Sequence, residues 1–464
     1  MRIAILAVWL LPLVAQATES DAPGAPDASA DPGAPSATNA ASAPTAPDVL
    51  HGERYDGRPA QPPRKEPGRA LARALLTPPR LFIAGLGAVA KPAMEWNERD
   101  HVQQHITAAL TSDDGLIGVR PVVNYEASFT PSFGLLLFDN RLPAGMHSQV
   151  SSAFGGPHVL ANDARLSRPL PHQLQLTVHG DYLRRNDELY TGIGMHVPLP
   201  FSRYGFDRVD SDVALAWKPV KALQIEAGVA VDFVRYNNGT EYDGDQSIGS
   251  VYCLRADGHC VGVVDDRLVP GFSSGTQFVR EHVAVNVDSR ADELSSGLLV
   301  GARVDYTHGI GSDESSYLRL HGHIGRSFEV FRHRSIYIGI SAEDEIALGG
   351  STIPFSELVQ LGGIDDLRGF RRARFRDDSS LLGTIEYRWP IWMWMDGSVF
   401  ADYGGVFKPQ FADFTVHDLK PDVGFGFRMH SANKYSMRIQ FAYGFGASGG
   451  GGVRLVFAGN GNPS

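Results

Sequence analysis

From Gly115 onward the chain alternates apolar and polar residues with a period of two, and few folds tolerate that pattern over so long a stretch. In LQIEAGVAVDF, Leu223, Ile225, Ala227, Val229, Val231 and Phe233 share one face, while Gln224, Glu226, Gly228, Ala230 and Asp232 share the other. In HQLQLTVHGDYL, Leu174, Leu176, Val178 and Tyr182 oppose Gln173, Gln175, Thr177, His179 and Asp181. In SMRIQFAYGF, Met437, Ile439, Phe441, Tyr443 and Phe445 oppose Ser436, Arg438 and Gln440. Successive strand side chains point to opposite sheet faces, so each stretch is a strand with one apolar and one polar face.

Two all-β architectures satisfy this pattern. A soluble sandwich turns the apolar face inward, whereas a membrane barrel turns it outward to lipid and keeps a wet interior. Three features select the barrel. Its strands run about ten residues or more, enough to cross a bilayer at a tilt. Glycine and small residues recur on the polar face. Aromatic residues gather at strand ends, as in RWPIWMWMDG, where Trp389, Trp392 and Trp394 flank a turn; tryptophan suits the membrane–water interface. About ten strands can be placed from near Leu116 up to residue 362. Five more follow, near 380–390, 396–407, 420–430, 434–446 and 451–458. Bacterial barrels are closed and even-numbered, so about sixteen strands are expected over residues 115–458, with 459–464 as a tail. The acidic, glycine-rich stretch 237–275 is expected to be a long loop, outside the cell if both termini lie in the periplasm.

The N-terminal part is different. MRIAILAVWLLPLVAQA (1–17) has a positive start, a short apolar run and a small-residue cleavage site, which is an export signal and too short for a spanning helix. Residues 18–66 are rich in Ala, Pro, Asp and Ser and cannot bury enough apolar surface to fold, so they read as a disordered periplasmic linker. Residues 67–112 carry helical spacing, with Val102, Ile106 and Leu110 on one side, and Pro92 must start or break a helix. They are expected to form short helices packed on the main domain. No later run is long and apolar enough for a transmembrane helix.

The formal charge of −10 argues against a nucleic-acid footprint, which would be basic and clustered. In an oxidising compartment the two cysteines, Cys253 and Cys260, are expected to close a small loop. With His259 they fall short of a zinc pattern. No metal site, no cofactor and no enzymatic chemistry are expected. Gly271-Phe272-Ser273-Ser274-Gly275 fits a nucleophile elbow only as a string, because TQFVREHVAVNV after it alternates like a strand. His321 and His323 read as polar lumen lining. Asp243-Gly244-Asp245 lacks the full calcium-ligand run, and Asn238-Gly239 marks a turn.

One stretch breaks the period. Residues 362–375, GGIDDLRGFRRARF, pack two acids and four arginines behind two glycines. Inside a polar lumen, a buried arginine needs carboxylates, and its planar fork can engage two acceptors. Two acids downstream have inward parity. Ile385 and Tyr387 would face lipid with Glu386 inside; Phe400, Asp402 and Gly404 would share a face opposite Val399 and Ala401. Adjacent antiparallel strands would set Glu386 and Asp402 side by side, where they repel unless a cation sits between them.

These motifs resemble the BamA/TamA-like bacterial surface antigens, which include two-partner-secretion transporters. The resemblance rests on Leu367-Arg368-Gly369-Phe370, then Glu386-Tyr387-Arg388-Trp389-Pro390, then Phe400-Ala401-Asp402-Tyr403-Gly404, with the lead-in ELVQLGGIDD. It covers roughly residues 355–458 well and the earlier strands by pattern. It implies an inward-folded loop whose Arg368 binds Glu386 and Asp402, with Gly369 permitting a tight bend and Phe370 wedged against the wall. Most members carry periplasmic POTRA domains of βααββ pattern. None is legible between the signal and the first strand, so this resembles a member without them.

The closing seam reads as weak. Pro121 in the first strand donates no hydrogen bond, and the last strand follows Gly449-Gly450-Gly451-Gly452. The resemblance implies a bacterial outer-membrane factor that inserts or translocates outer-membrane proteins or lipids through a lateral seam. Its partners would be outer-membrane lipids, protein clients or a separate periplasmic protein. The alternative is a passive, porin-like or structural barrel.

Overall fold

The computed structural model describes residues 110–459, apart from 198–199, 292–293, 311–314, 332, 393–394, 432–433 and 447–450. The expected signal, linker and helical segment, and with them the question of POTRA domains, lie outside the described residues as far as residue 109, as do 460–464 and the side chains of Trp392 and Trp394.

The alternating stretches form β1 (Ile117–Glu126), β2 (Ser132–Leu142), β3 (Met146–Phe154), β4 (Val159–Leu170), β5 (Leu174–Tyr190), β6 (Ser202–Val220), β7 (Leu223–Asn237), β8 (Thr276–Asp288), β9 (Gly297–Gly309), β10 (Ser316–Phe331), β11 (Arg334–Ala347), β12 (Ser379–Trp392), β13 (Met395–Phe407), β14 (Lys420–Ser431), β15 (Lys434–Gly444) and β16 (Val453–Gly459). The main sheet has seventeen strands; setting aside the two-residue piece Gln246–Ser247, which lies parallel on β6, sixteen remain. Each of the sixteen pairs antiparallel with its neighbour, and β16 returns to β1, closing a barrel. Eleven strands precede the loop at 362–375 rather than ten. The strand missing from that expectation therefore lies before the loop.

The period-two pattern sorts the two faces. Leu135, Leu137, Val209, Val213, Ile338 and Ile340 are exposed on the outside, forming the apolar band that lipid requires. Their neighbours Asp210, Asp212, Glu345 and Glu386 point inward. At one end the connections are tight, as at Pro143–Gly145 and Pro171–Gln173. At the other they are long, spanning 238–275, 348–378 and 408–419. This asymmetry matches short periplasmic turns and long extracellular loops.

Two of the long loops fold over and into the lumen. The 238–275 loop carries a short helix, Ile248–Val251, and a hairpin, Cys253–Ala256 with His259–Val264, bridged by the Cys253–Cys260 disulfide. Ile248, Tyr252, Val264 and Val269 pack with Tyr190, Tyr204 and Phe355, the last from the second loop. That second loop, 348–378, descends as a hairpin whose legs, Val359–Leu361 and Phe375–Asp377, pair antiparallel.

Candidate functional site: the inward loop and the seam

Gly362 and Gly363 turn the chain at the foot of the hairpin, with φ of +117° and +114°, values side-chain-bearing residues rarely adopt. A Cβ on Gly362 would sit 2.2 Å from the Arg371 carbonyl oxygen. The turn brings Arg368 down to the middle of β12 and β13, where it is 5% exposed.

The Arg368 fork is fully engaged. Its Nε and Nη2 donate to the two carboxylate oxygens of Asp402, at 2.7 and 2.8 Å, and Nη1 donates to Glu386 Oε2 at 3.0 Å. Its guanidinium carbon lies 3.4 Å from the centre of the Phe400 ring, a stacked cation–π contact. The strand register is offset from the side-by-side arrangement expected. Glu386 opposes Phe400, and Asp402 opposes Thr384, so the two acids are diagonal neighbours. The diagonal places Phe400 between them as the floor on which the guanidinium lies. Thr384 Oγ1 donates to Asp402 at 2.8 Å.

Three partners of this cluster were not singled out in the sequence. Arg388 Nε and Arg428 Nη2 both contact Glu386 Oε1, at 3.1 and 2.9 Å. Asp422 opposes Asp402 on β14 and accepts the Gly369 N–H at 2.8 Å. Glu386 and Asp402 thus meet three guanidinium groups, while Asp422 is held by a backbone N–H. Arg388 is the basic residue of its own motif, and Asp422 and Arg428 share inward parity on KPDVGFGFR; that parity was the only available signal.

Gly369 lies in the turn closed by the Phe370 N–H on the Leu367 carbonyl and also serves close approach. Its φ lies outside the left-handed range, but a Cβ there would stand 2.5 Å from the Gly444 nitrogen and 2.6 Å from Asp422 Cβ. Phe370 packs with Met195, Leu361, Leu367, Phe375, Leu382 and Val406, and its ring fills the space that a Cβ on Gly444 of β15 would need.

Of the remaining arginines, Arg371 reaches the 238–275 loop and Arg372 the opposite wall. Arg371 pairs with Asp243 and Asp245 at 3.2 and 2.8 Å, which assigns those loop acids to an ion pair. Arg372 pairs with Glu188 on β5 at 3.0 Å and approaches Glu126 on β1 at 3.5 Å.

Glu126 lies at the seam. β1 and β2 pair from Ile117↔Asp139 to Asn124↔Ser132, whereas among the described residues β1 and β16 pair at Tyr125↔Phe457 and Glu126↔Val456. Pro121 pairs within the β1–β2 ladder, opposite Leu135. Gly452 adopts φ +147°, and Gly451 lies so close to Gly444 that a Cβ would meet the Gly444 oxygen at 2.5 Å; Gly449 and Gly450 lie outside the described residues. Arg454 of β16 donates to the Ala127 carbonyl at 3.1 Å and stands 4.0 Å from Glu126. Val122 of β1 and Leu455 of β16 are out of register with each other.

The Gly271–Gly275 run leads into strand β8, and Ser274 Oγ donates to the Gly271 and Gly275 carbonyls at 3.3 and 3.0 Å. That is a turn, not a nucleophile elbow.

Residues 282–458 match the Omp85 superfamily domain, a stretch that holds the inward loop, both acid strands and β16. The crystal structure of BamA from Haemophilus ducreyi lacking POTRA domains 1–3 aligns with a TM-score of 0.55 at 12% identity, over 74% of this chain and 70% of that one. CdiB from Acinetobacter baumannii aligns with a TM-score of 0.45 at 11% identity, over 73% of this chain and 58% of that one. No curated protein matches by sequence. At 12% identity the BamA likeness speaks for the fold.

Proposed function

We propose, from the premise that this chain is a BamA/TamA-like outer-membrane barrel carrying the Omp85 superfamily domain, that it inserts or translocates outer-membrane proteins or lipids through a seam between β1 and β16. The observation that carries this reading is the closure itself. Among the described residues two pairs join β1 to β16, against a full ladder from β1 to β2. Backbone groups left unpaired in lipid each cost several kcal/mol, so a short closure is a poor stable edge and a good place for another strand or a lipid to enter. The inward loop then has a positional role. Arg368, Glu386 and Asp402 lock it to β12 and β13, with Gly369 and Phe370 seated on β14 and β15, and they keep those strands rigid while the seam moves. Arg368, Glu386 and Asp402 are paired with one another, which suits a positional role. The exported N-terminal segments would lie in the periplasm, and a separate periplasmic protein would deliver clients.

Tyr125→Cys with Phe457→Cys places two thiols on directly opposed residues. Reconstituted in liposomes, the oxidised double variant is expected to lose client insertion and to regain it on reduction. The parent, with only Cys253–Cys260, controls for the reductant. Full insertion by the oxidised form would show that the seam is not the route.

A further inference from the structure

On the wall away from the Arg368 cluster, four aspartates stand in one row. Asp163 of β4 opposes Asp181 of β5, Asp181 opposes Asp210 of β6, and Asp210 opposes Asp232 of β7. Like charges directly opposite destabilise a sheet, and a lumen between low-dielectric walls strengthens the repulsion. His179 shares the lumen face with Asp181, two residues along β5. One ligand atom each from His179, Asp181 and Asp210 lies within 4.8 Å of the others.

Two of these three side chains are already held from behind. His179 Nε2 contacts Asp163 Oδ2, and Arg208 donates to both Asp181 oxygens at 3.3 and 3.4 Å. An outer carboxylate on a histidine and an outer donor on a carboxylate are the supports that orient metal ligands. Asp210, by contrast, accepts no hydrogen bond among the described residues. Asp232, in register with it and 5% exposed, also has an oxygen, Oδ1, without a hydrogen-bond partner. Arg208 reaches Asp232 only at 3.9 Å, so one guanidinium is shared across the row.

We propose that His179, Asp181 and Asp210 form a binding site for a first-row divalent cation of the zinc class, on the lumen wall of β5 and β6. One imidazole nitrogen with two carboxylates is a borderline donor set. It suits zinc or its neighbours better than calcium, which takes six to eight oxygens. Zinc bonds of about 2.0–2.2 Å require these ligand atoms to close by roughly an ångström, which side-chain rotation supplies without moving the strands. The half-buried positions leave the remaining coordination to lumen water. His-x-Asp on one strand becomes a site only when the register brings Asp210 beside it, and the sequence alone does not record that register.

The test uses the full chain in detergent, stripped with a chelator and titrated with zinc by calorimetry, with cobalt as a spectroscopic stand-in. Its cysteines are joined in a disulfide and offer no competing thiolate. One equivalent is expected to bind. His179→Gln and Asp210→Asn should each weaken binding more than about tenfold, and Asp163→Asn, acting through His179, by about 10–100-fold. The double variant His321→Gln/His323→Gln should bind like the parent. Unchanged heat-modifiable gel mobility shows that each variant is folded. Absence of saturable binding, or binding that survives both His179→Gln and Asp210→Asn, would overturn the site.

Discussion

At the residue scale, the account turns on one guanidinium. Arg368 satisfies three carboxylate oxygens and lies on Phe400. Removing one partner of a buried ion pair costs about 3–5 kcal/mol, since the remaining charges stay buried without compensation. Arg368→Ala should therefore lower the midpoint of chemical unfolding in detergent, followed by tryptophan fluorescence, by that order of free energy. Arg368→Lys should recover little, because an ammonium cannot hold two acceptors in one plane. A variant unfolding at the parent midpoint would remove the cluster from the account. Gly369→Ala tests packing instead of charge. Its Cβ would collide with the backbone of Gly444, and overpacking of this kind costs about 1–3 kcal/mol. Parent-like stability in Gly369→Ala would mean that the loop does not sit as tightly on β15 as described.

At the element scale, the inward loop spans from β12–β15 on one side to β1 and β5 on the other. Arg372 makes the second attachment, through Glu188 and Glu126. Arg372→Gln is expected to speed amide hydrogen exchange in β1 and β16 while leaving β9 and β10 unchanged. Equal protection in all four strands would separate the loop from the seam. The strands themselves were legible. The five after the loop lie within a few residues of their expected limits, since exterior residues such as Ile385 and Tyr403 alternate with interior ones such as Glu386 and Asp402. Register was not legible, because parity fixes the face of a residue and not its partner. Glu386 and Asp402 were therefore expected side by side and are diagonal, and Asp422 and Arg428 join the cluster through the β13–β14 register, which parity does not record.

At the scale of the whole molecule, sixteen strands close a barrel whose long-loop end is filled and whose seam is short. The barrel class was legible because strand length, outward apolar faces and evenness all point the same way. Pro121 and the glycine run suggested a weak closure, and Pro121 lies in the β1–β2 ladder, opposite Leu135. How few pairs join β1 to β16 depends on where β16 begins and on its slant across β1, and no sequence period records either. If the strand limits make the seam weak, its two sides should separate in a membrane while other strand pairs stay together. The most direct measurement places spin labels at Tyr125→Cys and Phe457→Cys in liposomes, with Val300→Cys and Ile324→Cys, an opposed pair on β9 and β10, as reference. The account predicts two populations at the seam, one in contact and one well separated, and a single contact distance at the reference pair. A single contact distance at both pairs would contradict it.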